Sequence, residues 1–335
     1  MRRLFKLAVA LSLFSLAAGA PQAAPKKKTY RVGAAVYGLK AEFMQIWTQA
    51  LKDHPAVKDG TVKLTVFDGN YDALTQNNQF DTMITQRYDG ALFVPIDIQA
   101  GAEAVNKAFA AGIPVVGSNT RVNSDNLLAY IGSNDVIAGE MEADAVIKAI
   151  GGKGNVVILE GPIGQSAQIE RRKGNEAALA KNPSVKVLQM KTANWSRAEA
   201  LSLMENWLTA HPGQINGIIG QNDEMALGAI AAVKAKGLDP KKIPTAGIDG
   251  VTDAILSVKR GEMVSILQDA RAQAQGALDI LLRKLIGPSY KPQSRIWTQY
   301  ADGMPWNDGQ DKVYNVPWTP ITLQNADALL KDRQK

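Results

Sequence analysis

From residue 29 onward the chain runs twice through one alternation of short β-rich runs and amphipathic helical stretches. In the first pass Thr29–Val36 reads as a strand and Ala41–His54 as a helix. Val62–Phe67 and Ala73–Gln86 repeat that pair, then Ala91–Val94 and Ile98–Ala111, and Pro114–Gly117 closes the pass as a strand. The second pass pairs Asn155–Leu159 with Ser166–Asn182, Val185–Thr192 with Arg197–His211 and Ile215–Ile219 with Met225–Lys236, and closes on Thr245–Ile248. Strands that alternate with helices predict parallel sheets covered by helices. The passes echo each other locally. Asp89-Gly90 opens Ala91-Leu92-Phe93-Val94 as Asn216-Gly217 opens Ile218-Ile219, and Ile113-Pro114 precedes one closing strand as Ile243-Pro244 precedes the other. Matching positions lie about 125 to 130 residues apart. Any α/β chain repeats turn and strand signals, but a shared order of four strands at one offset points to duplication. The expected fold class is therefore α/β, two Rossmann-like lobes with parallel sheets. In such sheets ligands sit beyond the C-terminal strand ends, and two facing lobes bring those ends to a shared cleft.

The first residues, MRRLFKLAVALSLFSLAAGAPQAA, have a different grammar. Arg2, Arg3 and Lys6 precede the apolar run Leu7 to Ala18, and small residues follow, the pattern of a signal peptide over residues 1–24 cleaved between Ala20 and Ala24. The run is shorter than the roughly 20 residues a membrane-spanning helix needs. There is no cysteine, which excludes a lipid anchor through a thiol and a disulfide framework. The expected location is the periplasm if the host has one. Of the formal charge of +6, three units lie in the leader. Apart from Lys26-Lys27-Lys28 the basic residues are scattered, so nothing points to nucleic acid or an anionic membrane.

Residues just past the strands are the candidate site. They include Tyr37 and Phe43 after the first strand, Asp97 after the third and Asn119 after the fourth. In the second pass Arg171, Trp195, Asn222 and Asp249 hold such places, and Gln268 follows a further strand, Val264–Leu267. Planar amides, carboxylates and guanidinium groups meet hydroxyls that both donate and accept. Aromatic faces cover the C–H face of a sugar. Singly, each has a plainer reading: Asp97, Asn222 and Asp223 each precede a helix and suit N-caps, Trp195 suits a core and Arg171 a solvated helix face.

Two strings carry a family resemblance: Asn206-Trp207-Leu208-Thr209-Ala210-His211-Pro212, and Gln221-Asn222-Asp223-Glu224-Met225-Ala226-Leu227-Gly228-Ala229. With Ile131-Gly132-Ser133-Asn134, Arg171-x-x-Gly174 and Gly247-Ile248-Asp249-Gly250, the chain resembles the ribose-binding class of periplasmic sugar-binding proteins over nearly all of its length past the leader. That resemblance implies a type I periplasmic binding protein fold with a three-stranded hinge. It implies crossings near Ser133, Gln268 and Arg295, a first lobe of 29–133 plus 268–295 and a second of 134–267 plus 296–330, with Asn315–Ile321 packed on the second. It makes Asn222 and Asp249 the amide and carboxylate of the sugar site, Arg171 its guanidinium, Gln268 its hinge amide, and Trp195 and Phe43 its aromatic walls. The implied role is a sugar or polyol receptor for the permease of an ABC importer, the alternative being a sensor feeding a chemoreceptor or sensor kinase. The sequence departs from the pattern at Ser118-Asn119-Thr120-Arg121, where an amide replaces a carboxylate, and at Tyr37-Gly38-Leu39-Lys40-Ala41-Glu42-Phe43, which lacks Asn-Pro-Phe-Phe. The asparagine usually found near Val94 is missing, and some 35 residues from Tyr300 onward extend past the end of ribose binders. These differences favour a related sugar, polyol or cyclitol at least as much as ribose.

An enzyme is not expected. The two histidines, His54 and His211, each precede a proline. No cofactor is expected, and neither a metal-ligand cluster nor a phosphate loop is present; Gly151-Gly152-Lys153-Gly154 precedes a strand and reads as a turn. A glycosidase with paired carboxylates stays open on sequence grounds. A transcription regulator would need a DNA-binding motif where the leader stands. The expected assembly is a monomer.

Overall fold

The computed structural model describes residues 28–333; the expected signal peptide and its cleavage point lie outside them. The first sheet takes β1 (Tyr30–Val36), β2 (Val62–Asp68), β3 (Gly90–Val94), β4 (Val115–Ser118) and β5 (Ala129–Gly132), with α1 (Glu42–Lys52), α2 (Pro55–Lys58), α3 (Ala73–Thr85) and α4 (Ile98–Ala110) between strands. The second takes β6 (Gly154–Glu160), β7 (Val185–Thr192), β8 (Gly217–Gly220), β9 (Thr245–Asp249) and β10 (Val264–Leu267), with α5 (Asp135–Ala149), α6 (Ser166–Ala180), α7 (Arg197–Ala210), α8 (Asp223–Ala235) and α9 (Thr252–Arg260). Strand order is β2-β1-β3-β4-β5 in one sheet and β7-β6-β8-β9-β10 in the other, the same path walked twice. All these pairings are parallel. Central strands such as β3 are buried throughout, so they read as continuous apolar runs instead of alternating ones.

Each turn out of a strand tends to end on a side chain that accepts from the next helix's free amides. Asp72 accepts from Thr75 N at 2.6 Å, Asn134 from Ile137 N at 3.3 Å and Ser196 from Glu199 N at 3.3 Å. These caps begin the helices at the C-terminal strand ends, and so they line up the candidate residues there.

The chain returns after β10 to the first sheet, where α10 (Ala270–Ile286) covers β3, β4 and β5. The expectation that residues from 296 onward join the second lobe needs correction. The short α11 (Ile296–Gln299) packs back on α10, and β11 (Val313–Asn315) adds to the first sheet, parallel to β5. Only β12 (Thr319–Pro320), antiparallel to β10, and α12 (Leu323–Arg333) lie on the second. The last crossing therefore falls between Asn315 and Thr319. The cause is the buried carboxylate of Asp279 in α10. It accepts from Tyr290 Oη at 2.5 Å, Gln293 N at 2.8 Å, Ser294 Oγ at 2.5 Å and Trp297 Nε1 at 2.8 Å, and meets His54 Nε2 at 3.2 Å. Trp297 then packs edge-on against Tyr314 of β11, centroids 5.3 Å apart.

Candidate ligand-binding site

The C-terminal ends of both sheets flank a small polar cavity of about 10 Å³. Eight of the nine residues singled out in the sequence line it. Tyr37, Phe43 and Asn119 come from the first lobe, Arg171, Trp195, Asn222 and Asp249 from the second, and Gln268 from the segment joining β10 to α10. Gln165 and Ala167 line it too. Gln165, between β6 and α6, is not among the residues singled out in the sequence.

Arg171 is almost wholly buried in α6. It gets there because α5 and α6 touch backbone to backbone: a Cβ on Gly139 would sit 2.1 Å from Arg171 O, and one on Gly174 would sit 2.1 Å from Val136 O. That contact brings Asp135, the first residue of α5, within 2.8 Å of Arg171 Nε. Nη1 donates to Gln221 O at 2.5 Å, and Nη2 to Gln268 Oε1 at 3.3 Å. The guanidinium carbon lies 5.5 Å from the Trp195 ring centroid.

Trp195 follows Asn194 in a left-handed pair of residues, φ 58° and 53°. Its indole lies on Gly161, where any side chain would collide with the ring. Nε1 donates to Gln165 Oε1 at 2.6 Å, and Gln165 Nε2 donates across the cleft to Pro95 O at 3.0 Å. On its other side Trp195 borders a wider groove shared with Tyr71, Lys40 and Arg197. The ring thus separates the cavity from the groove.

Asn222 has both of its sequence readings at once. Its Oδ1 caps α8 through Met225 N at 2.9 Å, and its side chain borders the cavity. Asn119, at φ 63°, donates through Nδ2 to Gln268 Oε1 and Gln273 Oε1, both at 3.2 Å. Those two bonds use both amide hydrogens and leave Oδ1 as an acceptor. Gln268 Nε2 is a buried donor with no partner among the described residues. Asp249 ends β9 at φ 122°, 6% exposed. No protein donor within the described residues bonds its carboxylate, and the nearest cation, Arg171 Nη1, is 4.0 Å from Oδ1. Burial pushes this carboxyl well above the usual range, with the Arg171 charge opposing. Burial likewise pushes the neighbouring Tyr37 phenol up.

Asp97 is the exception and needs correction: it is a cap and not a cavity residue. Its Oδ1 accepts from Gln99 N at 2.9 Å and Ala100 N at 2.7 Å, its Oδ2 lies against Gly164 of the other lobe, and it is not among the residues lining the cavity. The histidines are equally remote. His54 is buried against Asp279, and His211 meets Gln189 at 3.0 Å. Among the described residues no cluster of three or more metal-binding side chains occurs.

A family profile described as "periplasmic binding protein domain" matches residues 32–289. The chain belongs to that family. It is 35% identical over 331 residues to a xylitol-binding protein of Mycolicibacterium smegmatis, covering 97% of this chain and 88% of the relative. It is 29% identical over 312 residues to a ribose import binding protein of Bacillus subtilis, covering 89% and 100%. Among solved structures, a solute binding protein of an ABC transporter from Bacillus halodurans with bound myo-inositol superposes with TM-score 0.79 at 25% identity, covering 92% of this family member and 99% of that chain. The two-lobed, mostly parallel architecture is that of the type I periplasmic binding proteins.

Proposed function

We propose that this protein captures a sugar or sugar-like polyol between its lobes and hands it to the permease of an ABC importer. The observation that carries the reading is the unmatched polarity of the cavity. Among the described residues, its Asp249 carboxylate accepts no hydrogen bond and has only Arg171 at 4.0 Å as counter-charge, and Gln268 Nε2 has no partner, beside an aromatic face. A buried polar group without a partner costs about 1 to 3 kcal/mol, so a ligand that supplies hydroxyl donors and acceptors is favoured there. Asp249 accepts from two hydroxyls, Gln268 and Asn222 donate through their amides, and Trp195 and Phe43 cover the carbon skeleton. The relatives named for xylitol and ribose support this ligand class, and the word "import" in one of those names supports transport over sensing. Release of the ligand unchanged is the role that the relatives named as binding proteins support. The periplasm is the compartment that fits such a role.

Binding from both sides couples capture to closure, because contacts made only in the closed state shift the equilibrium toward it. The test is a thermal-shift screen of pentoses, pentitols, hexoses and inositols, followed by calorimetric titration and product analysis. A ligand that binds only the folded state raises apparent stability. Failure of every polyhydroxylated compound to raise the melting temperature would overturn the reading.

A further inference from the structure

Helix α9 begins at Thr252, three residues beyond Asp249, and its own N-cap residue, Val251, has no side chain that can accept a hydrogen bond. The missing acceptor comes from the other lobe. Thr252 N lies 3.1 and 3.2 Å from the two carboxylate oxygens of Glu42, and Thr252 Oγ1 donates to Glu42 Oε1 at 2.5 Å. Glu42 is the first residue of α1, and Phe43 beside it lines the cavity. Neither Glu42 nor Thr252 lines it.

We propose that Glu42 is an affinity-determining latch that caps α9 across the cleft and holds the lobes closed without touching the ligand. An anion at a helix N-terminus is favoured by the free amides and the helix dipole. Here that anion is present only while the lobes meet, so the cap is a property of the closed state. The turn it grips is also gripped from behind. Asp223 Oδ2 accepts from Gly250 N at 2.6 Å and Val251 N at 3.0 Å, and Arg333, delivered by the C-terminal helix, donates to Gly250 O at 2.8 Å. Asp249 reads the ligand at one end of this braced turn, and Glu42 holds Thr252 at the other. Ligand and latch therefore favour the same closed arrangement, and loss of the latch lowers affinity by the differential stabilisation it supplied.

The proposal rests on the reading of a closing receptor, and two readouts keep the two ideas apart. The chain has no cysteine, so Asn78→Cys and Ser202→Cys, on exposed faces of α3 and α7, take one spin label each for interlobe distances. Labelled protein carrying Glu42→Ala, Thr252→Val or both is compared with the labelled parent, with and without xylitol or myo-inositol. The expected result is a weaker affinity for the bound polyol by roughly fivefold in Glu42→Ala, a smaller loss in Thr252→Val, and a double variant no weaker than Glu42→Ala. Thr252→Ser, which keeps amide and hydroxyl, retains parental affinity. Unliganded melting temperature stays at the parental value, and the unliganded distance distribution moves to longer separations. Affinity within twofold of the parent, with an unchanged distribution, would refute the latch. If neither polyol binds the parent, the receptor reading loses support for these ligands, and the unliganded distances alone decide the latch.

Discussion

Asp249→Asn separates binding from folding, because the two should move in opposite directions. The substitution keeps shape and removes charge. Among the described residues the carboxylate has no hydrogen-bond donor and only Arg171 at 4.0 Å as counter-charge, so under the proposed function its partners are the ligand's hydroxyls. A hydrogen bond to a charged acceptor contributes about 1.5 to 3 kcal/mol and a neutral one about 1. Two charged bonds replaced by one neutral bond lose about 2 to 5 kcal/mol, a weakening of roughly 30-fold to several thousandfold. The unliganded protein should gain stability, since a buried carboxylate with imperfect compensation is removed; sites kept costly for function return about 1 kcal/mol when neutralised. That corresponds to a rise of about 2 to 4 °C in melting temperature. Proton linkage gives a second readout. Burial raises the Asp249 carboxyl, and hydroxyl donors favour its ionised form. Parental affinity therefore increases as pH rises through that elevated value, with proton release on binding, while the profile of the Asp249→Asn variant is flat. Isothermal titration in two buffers of different ionisation heat and differential scanning calorimetry measure both effects. Retained affinity, or a lower unliganded melting temperature, would refute the assignment of Asp249 to the ligand.

Trp195→Ala removes the aromatic wall and opens the cavity to the neighbouring groove. Titration should report an affinity loss of about 100-fold, in the range of a buried aromatic anchor, with cooperative unfolding kept. Asp279→Asn turns an acceptor of several protein donors into a group that meets them partly with its own N–H, and chemical denaturation should report a loss of about 3 to 5 kcal/mol. Burial opposes ionisation of Asp279, but His54, Ser294 and Tyr290 together hold its carboxyl below the usual range. Its contribution is therefore present above the unfolded value near 3.8 and is lost on acidification below it, a loss the Asp279→Asn variant should not show. Glu142 is the opposite case, since burial pushes it well above 4.5. The folded chain keeps a proton there that the unfolded chain releases, so parental stability falls as pH rises from about 4.5 toward the raised value. Glu142→Gln should flatten that slope in pH-dependent denaturation, and an unchanged slope would count against a buried neutral Glu142.

The elements were legible where burial and capping leave local marks. β3 is a continuous apolar run and β1 is one from Val32 onward, and Asp72 and Ser196 announce α3 and α7. The alternation read from sequence jumps from Gly117 to Asn155 and misses β5 and α5. The strand has four residues, and α5 buries Glu142 and Asp135 among alanines, which blurs any apolar stripe. The C-terminal segment was misplaced because its anchor, Asp279, bonds residues 11 to 18 positions later and His54 225 positions earlier, contacts that no periodicity encodes. At the site, position past a strand end led to eight residues that line the cavity. It failed at Asp97 because a cap and a ligand carboxylate occupy the same place in the sequence, and Asn222 shows that one side chain can be both.

The interleaving of the two sheets has a consequence for how the molecule is made. The first sheet receives its edge strand, residues 313–315, only after β6 to β10 of the other sheet have been synthesised. Neither half is a contiguous stretch of message, so no single cut yields two self-sufficient fragments. Translation must run through residue 315 before the first sheet holds all its strands and through residue 320 before the second does, so completion of both is tied to one short late segment.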